Sequence, residues 1–121
     1  MLGVDETVMK SAALTFEDGF RVAIGNARSQ GAVMVIAPGE REGGPDNRHG
    51  GADQWLYVID GMGEATVAGQ MLALKPGSLV LIEAGECHEI RNTGRTPLKT
   101  VTIYLPPAYD QDGDELPPGK P

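Results

Sequence analysis

The 121-residue chain holds one cysteine, Cys87. It can therefore form no internal disulfide and cannot build the multi-cysteine zinc folds. No apolar run approaches the roughly 18 residues a helical membrane span needs. The opening residues, Met1 to Glu6, show neither the basic start nor the apolar stretch of a secretory signal, so a cytoplasmic location is expected. Basic residues are scarce. Ten Lys and Arg face seventeen Asp and Glu, a net charge of −7, and such a surface repels nucleic acid and anionic lipid. Serine is sparse, and neither a Gly-x-Ser-x-Gly elbow nor a phosphate-cradling Gly-x-x-x-x-Gly-Lys loop occurs. Helix-period segments of ten residues or more are missing too.

Glycine, by contrast, is abundant. Seventeen glycines are about twice the average usage, and they fall between apolar runs, where tight turns between short strands need them. The spacing predicts strands over residues 20–24, 31–37, 54–59, 64–67, 71–74, 79–82, 87–91 and 98–105, with turns every 8–12 residues or so, as in a sandwich or barrel. Residues 40–53, polar and glycine-rich, read as one long loop. The whole chain, 1–121, reads as a single barrel domain with its core at about 20–105. The segment 106–121, with five prolines and several acids, reads as an extended arm.

Only two histidines are present, His49 at the end of the polar loop and His88 in a later strand. Strand alternation puts His88, Ile90 and Asn92 on one face, and Gln54, Leu56 and Val58 on another single face. A closed barrel aims one face of every strand at the same interior, where His49, Gln54 and His88 can converge. Trp55, Tyr57 and Ile59 alternate away from Gln54 and read as packing between sheets or at a subunit interface. Cys87 alternates away from His88, which speaks against a nucleophile role. Glu83, Glu86 and Glu89 read as solvated, and Arg41, Arg48 and Arg91 as surface residues, one of which could meet a carboxylate at the barrel mouth.

The segment from Gly77 to Asn92 resembles the second motif of the cupins: Gly77, Gly85, His88 and Asn92 stand at the required spacing, with Glu83 where proline is usual. The first motif is met less fully. His49 takes the second histidine position, Asn47 the first, Gln54 the glutamate position, and Gly61 closes the motif. The resemblance spans about residues 20–105 and implies a double-stranded β-helix around a central divalent metal (Zn, Mn, Fe or Ni). Carried over by position, the ligands are His49, Gln54 and His88, with Asn47 the weakest. Such a donor set carries no negative charge, so a carboxylate from Asp46, Asp53 or Glu83, or an anionic ligand, would have to complete it.

Two functions follow from the resemblance. One is a metal-dependent enzyme acting on a small polar or acidic molecule by dioxygenase-, isomerase- or lyase-type chemistry, with Asp53, Glu83 and Tyr57 as base candidates. The other is a non-enzymatic small-ligand-binding module without tightly bound metal. A third reading is a purely structural dimerising module, with a Val- and Ile-rich edge strand at residues 33–36 available for pairing; such a homodimer is compatible with either function.

Overall fold

The structure, a computed structural model, describes residues 9–44 and 47–121. The opening Met1–Glu6 segment and Asp46 lie outside the described residues. Among the described residues nine strands follow one another: β1 (Gly19–Gly25), β2 (Gln30–Ile36), β3 (Arg41–Gly43), β4 (Asp53–Asp60), β5 (Gly63–Val67), β6 (Gln70–Leu74), β7 (Leu79–Ile82), β8 (His88–Asn92) and β9 (Leu98–Leu105). After them come an isolated bridge between Tyr109 and Glu115 and a 3₁₀ turn at Pro117–Gly119. No helix among the described residues is long and apolar enough to cross a membrane.

The strands form two antiparallel sheets, ordered β1-β2-β9-β4-β7 and β3-β8-β5-β6. Together they make the expected all-β, double-stranded β-helix barrel. Eight strands fall where the alternation and the turn residues place them. β3 does not: it lies in the stretch read as loop, because three exposed residues bordered by glycine carry too little apolar pattern to be seen. It exists through pairing with β8, Glu42 opposite Ile90. A second correction concerns β2. Residues 33–36 are not at an edge, since β2 pairs with β1 on one side and β9 on the other. Its side chains are buried on both faces, hence the unbroken apolar run.

The barrel core is built from the inward-facing alternate residues. Leu56 and Val58 of β4, Val80 and Ile82 of β7, Met34 and Ile36 of β2, Ala65, Leu74, Ile90 and Leu98 form one apolar cluster. Thr100, fully buried among them, donates from its hydroxyl to the Met34 carbonyl at 2.7 Å, so its polar atom carries no desolvation debt. A smaller cluster of Ala32, Ala52, Tyr104 and Ala108 lies towards the C-terminal segment. The large aliphatics thus fill one end of the barrel and leave the other to polar and aromatic side chains.

The motif residues outside the pocket have structural tasks. Gly77 and Gly85 occupy left-handed turns at φ +91° and +87°, a conformation costly for any residue with a Cβ. Asn92 is buried, and its amide donates to the carbonyls of Ile36 and Thr96 while its oxygen accepts from the Gly94 amide, all at 2.8 Å. It ties the β8–β9 turn to β2.

Candidate functional site

Four separate pieces of chain supply the polar end of the barrel. His88 opens β8 with its side chain inward, because it shares a face with Ile90 and Asn92. Gln54 is the second residue of β4, placed by the strand register opposite Ile82 and Tyr104. His49 comes from the loop between β3 and β4, and Asn47 from the same loop, where its carbonyl accepts from the His88 amide at 2.8 Å. The two imidazole rings lie 5.2 Å apart, centroid to centroid. They share a cavity of about 210 Å³ with Asn47, Gln54, Glu42, Tyr104 and Tyr109. His49, Gln54 and His88 are all buried.

Hydrogen bonds orient both rings. The Gly119 carbonyl lies 2.8 Å from His49 Nδ1 and the Glu86 carbonyl 3.4 Å from His88 Nδ1. A carbonyl only accepts, so each contact favours the proton on Nδ1 and leaves the Nε2 lone pair free for another partner. For His88 that lone pair has one neighbour, the Asn47 side-chain amide at 3.3 Å. Burial pushes the His88 pKa below its ordinary value; the Glu86 contact opposes this and repulsion from His49 adds to it. The ring is accordingly neutral at neutral pH. Burial raises the Tyr104 and Tyr109 phenols above the usual tyrosine range, helped for Tyr104 by Tyr109 and for Tyr109 by Glu115. Both are hydrogen-bonding phenols, not phenolates.

Gln54 is the anomaly of the site. Its amide nitrogen donates to the Thr102 hydroxyl at 2.8 Å, yet its carbonyl oxygen is buried with no hydrogen-bond partner among the described residues. Turning the amide over would only exchange which end is left without one. A buried acceptor left unpaired costs about 1–3 kcal/mol, so the cavity it lines is one where a partner is wanted.

The donors available to a metal are thus His49 Nε2, His88 Nε2 and the Gln54 oxygen, with Asn47 beside them. Among the described residues no three His, Cys, Asp or Glu side chains come together as a metal-holding group. The set is neutral but of the right types. Two imidazoles and an amide oxygen suit a borderline divalent ion that keeps open positions for an anionic ligand. Of the other carboxylates considered, Asp53 accepts from the Ala84 amide at 2.8 Å and Glu83 is exposed, and neither lines the cavity. Tyr57 points outward from β4. The base candidates read from the sequence are therefore corrected: Asp53, Glu83 and Tyr57 all lie off the cavity. The acid that does line it is Glu42, on the strand that sequence reasoning missed.

Tyr104 and Tyr109 were missed as well. Tyr104 was legible from alternation, since Thr100, Thr102 and Tyr104 share the buried face of β9. Tyr109 carried no such signal, because it reaches the cavity from the C-terminal segment. Cys87 is half-buried and lines a second recess with Gly44, Thr66, Gly69, Glu89 and His88, the one residue it shares with the site cavity. Arg41 pairs with Glu89 at 3.3 Å, and Arg48 is exposed. A broad depression, about 810 Å³, lies outside the barrel between the β1–β2 turn and the C-terminal segment. It is open, and neither histidine lines it.

Comparison with known proteins agrees with this architecture. Residues 32–104 match the family model described as Cupin domain. The chain is 30% identical over 74 residues to an oxalate-binding protein of Thermotoga maritima, covering 61% of this chain and 60% of that one. It is 34% identical over 65 residues to an L-ectoine synthase of Saccharopolyspora erythraea, covering 48% and 47%. The match thus spans 47% to 60% of the length of these two curated relatives. The crystal structure of BH2720 from Bacillus halodurans superposes with a TM-score of 0.71 at 29% identity, covering 78% of this chain and 74% of that one.

Proposed function

Because the chain belongs to the cupin domain family, we propose that its barrel is a small-molecule site in which His49, His88 and Gln54 hold a divalent transition metal, with Asn47 at its side. The observation that carries this reading is the unpartnered Gln54 oxygen, buried at a cavity that both imidazoles also line. Bound there, an ion (Zn, Mn, Fe or Ni) would polarise an oxygen of the ligand, the chemistry common to dioxygenase-, isomerase- and lyase-type cupins.

The remaining residues define what the ligand must be. Two imidazoles and an amide do not balance a divalent charge, so Glu42 at the cavity wall, or a small acid that brings its own oxygen anion, completes the site. The cavity, about 210 Å³, is smaller than the roughly 300–1,000 Å³ of sites for drug-sized molecules. Phe20, Met34 and Ile90 exclude water from one side of it, and the phenols of Tyr104 and Tyr109 offer hydrogen bonds from another. The T. maritima relative is named for binding oxalate, which makes a dicarboxylate the first probe to try.

A specific contact favours a second reading, a ligand-binding module without tightly bound metal. The Asn47 amide stands 3.3 Å from His88 Nε2 and satisfies the lone pair that a metal would need. Metal analysis of untagged protein separates the two. The first reading expects about one ion per chain, lost in His88→Ala, and oxalate binding only in the loaded protein. Protein that takes up no iron, manganese, zinc or nickel but still binds oxalate belongs to the second.

We further infer that the partner is a second copy of this chain, docked on the outer face of the five-stranded sheet. Trp55 stands between Leu81 and Ile103 in the strand register, and Tyr57 between Leu79 and Val101. Trp55, Tyr57, Ile59, Leu79, Leu81, Ile103 and Leu105 are each 37% to 60% exposed. Seven large apolar side chains exposed side by side on one sheet face form the kind of contiguous patch that marks an interaction surface, unlike the single scattered apolar residues of ordinary monomers.

A further inference from the structure

We propose that residues 116–120 are a working part of the pocket, and that the Gly119 carbonyl is the positioning group that fixes the His49 imidazole. The loop carrying His49 belongs to no strand, so its geometry must come from elsewhere. Three consecutive residues of it are matched to three of the C-terminal segment. His49 Nδ1 meets the Gly119 carbonyl at 2.8 Å. The Gly50 amide donates to the Lys120 carbonyl at 2.7 Å and the Gly51 amide to the Pro118 carbonyl at 3.0 Å. From the barrel side, the Gly85 amide donates to the His49 carbonyl and the His88 amide to the Asn47 carbonyl, each at 2.8 Å.

The close approach is written into the sequence at this crossing. A Cβ on Gly50 would stand 2.8 Å from the Lys120 carbonyl oxygen, and one on Gly51 would stand 3.1 Å from the Pro118 Cα. A Cβ on Gly119 would run into the Ala108 backbone. Only residues without side chains let these two stretches of backbone touch. The segment is also held at its near end. Gln30, buried on β2, donates from its side-chain nitrogen to the Tyr109 carbonyl at 2.5 Å, and its oxygen accepts from the Ala108 and Tyr109 amides, each at 3.2 Å. The Leu116 amide then returns to the Ala108 carbonyl at 2.8 Å. The result is a buckle fastened to the barrel by Gln30 and closed over the histidine loop by Gly119.

The consequence for His49 is chemical. Free neutral imidazole prefers its proton on Nε2, the nitrogen a ligand in the cavity would need unprotonated. The Gly119 carbonyl reverses that preference by accepting from Nδ1. Tyr104 and Tyr109 pack edge-on against the ring at 5.3 and 5.7 Å and stop it from turning over. Residues 116–120 thereby present a lone pair to the cavity without touching the ligand.

Nitrogen-15 NMR of the two imidazoles reads this directly in metal-free protein, with His88→Gln assigning the signals. The full chain should show His49 protonated on Nδ1. Gly119→Ala, and a chain ending at Leu116, should return His49 to the Nε2–H-rich mixture of free imidazole while His88 keeps its tautomer. Affinity for added zinc should fall about 10- to 100-fold in both variants, the usual effect of losing the group behind a histidine ligand. A full chain with His49 protonated on Nε2 overturns the proposal. So does a folded Gly119→Ala protein that keeps the Nδ1–H form. Should the shortened chain fail to fold, the full chain and Gly119→Ala still decide the question. The zinc arm rests on the metal-site reading above: zinc binding to none of the proteins defeats that reading, and the tautomer result alone then judges this one.

Discussion

Replacing Gln54 by methionine should separate stability from function in one side chain. In the metal-free protein Gln54 makes one hydrogen bond, to Thr102, and leaves its oxygen buried without a partner. Losing the Thr102 bond should cost about 0.5–1.5 kcal/mol, and removing the orphaned acceptor should return about 1–3 kcal/mol. Methionine has nearly the same length and bends to fit, so little cavity or strain is added. The Thr102 hydroxyl keeps Tyr104 as a neighbour. The metal-free variant is therefore expected to lie between about 0.5 kcal/mol less stable and about 2.5 kcal/mol more stable than the wild type, measured by urea unfolding in the presence of a chelator. Saturating zinc should reverse the order. An ion present at 100 times its dissociation constant stabilises the folded wild type by about 2.7 kcal/mol, and a variant short of one ligand gains much less. A metal-free Gln54→Met protein that is more than about 1 kcal/mol less stable would refute the reasoning. The amide would then be an ordinary satisfied core group and the cavity would not be waiting for a partner.

The His88 ring should make the metal-free protein sensitive to mild acid. Its folded pKa lies below the unfolded value of about 6.5, so its contribution is fully present above pH 6.5 and is lost as the pH falls towards the folded value. Unfolding free energies from urea titrations should decline by up to about 1.4 kcal/mol per pH unit from this one group as the pH falls below about 6.5, and His88→Gln should remove that slope. Leu56→Ala, which empties a fully buried position in the main cluster, should cost about 2–5 kcal/mol in urea unfolding. On the outer sheet face, Trp55→Glu combined with Leu81→Glu should yield a monomer by sedimentation while leaving the barrel's circular dichroism intact. A wild-type protein that already sediments as a monomer at micromolar concentration would end the second-copy reading.

Much of the fold could be read from the sequence because strands such as β4, β8 and β9 have one face in the core, and period-two alternation reports that directly. Gln54-Trp55-Leu56-Tyr57-Val58 alternates buried and exposed as β4 does, and the same pattern on β8 and β9 sets His88 and Tyr104 inward. The legible part of the site is the part carried by strands. β3 stayed hidden because it lies at a sheet edge with all three residues exposed, so no apolar pattern was required of it, and Glu42 was hidden with it. The edge assignment for residues 33–36 failed for the opposite reason. An unbroken apolar run reports burial on both faces, and a strand buried on both faces stands inside a sheet.

The C-terminal segment shows a limit of another kind. Its contacts with the histidine loop are made by backbone carbonyls and amides, which every residue possesses, so no side-chain pattern announces them. What remains visible is the absence of side chains where backbones meet, at Gly50, Gly51 and Gly119. Paired glycine sites far apart in the chain are compatible with many turns and point to a crossing only once both ends are placed. The same reasoning explains why the polar end of the barrel needs the segment at all. The apolar end holds itself together by packing, whereas His49 sits on a loop whose backbone carbonyls, at Asn47 and His49, accept from the His88 and Gly85 amides. A buried imidazole that must offer one particular nitrogen needs a fixed acceptor on the other, and here the acceptor comes from 70 residues further along the chain.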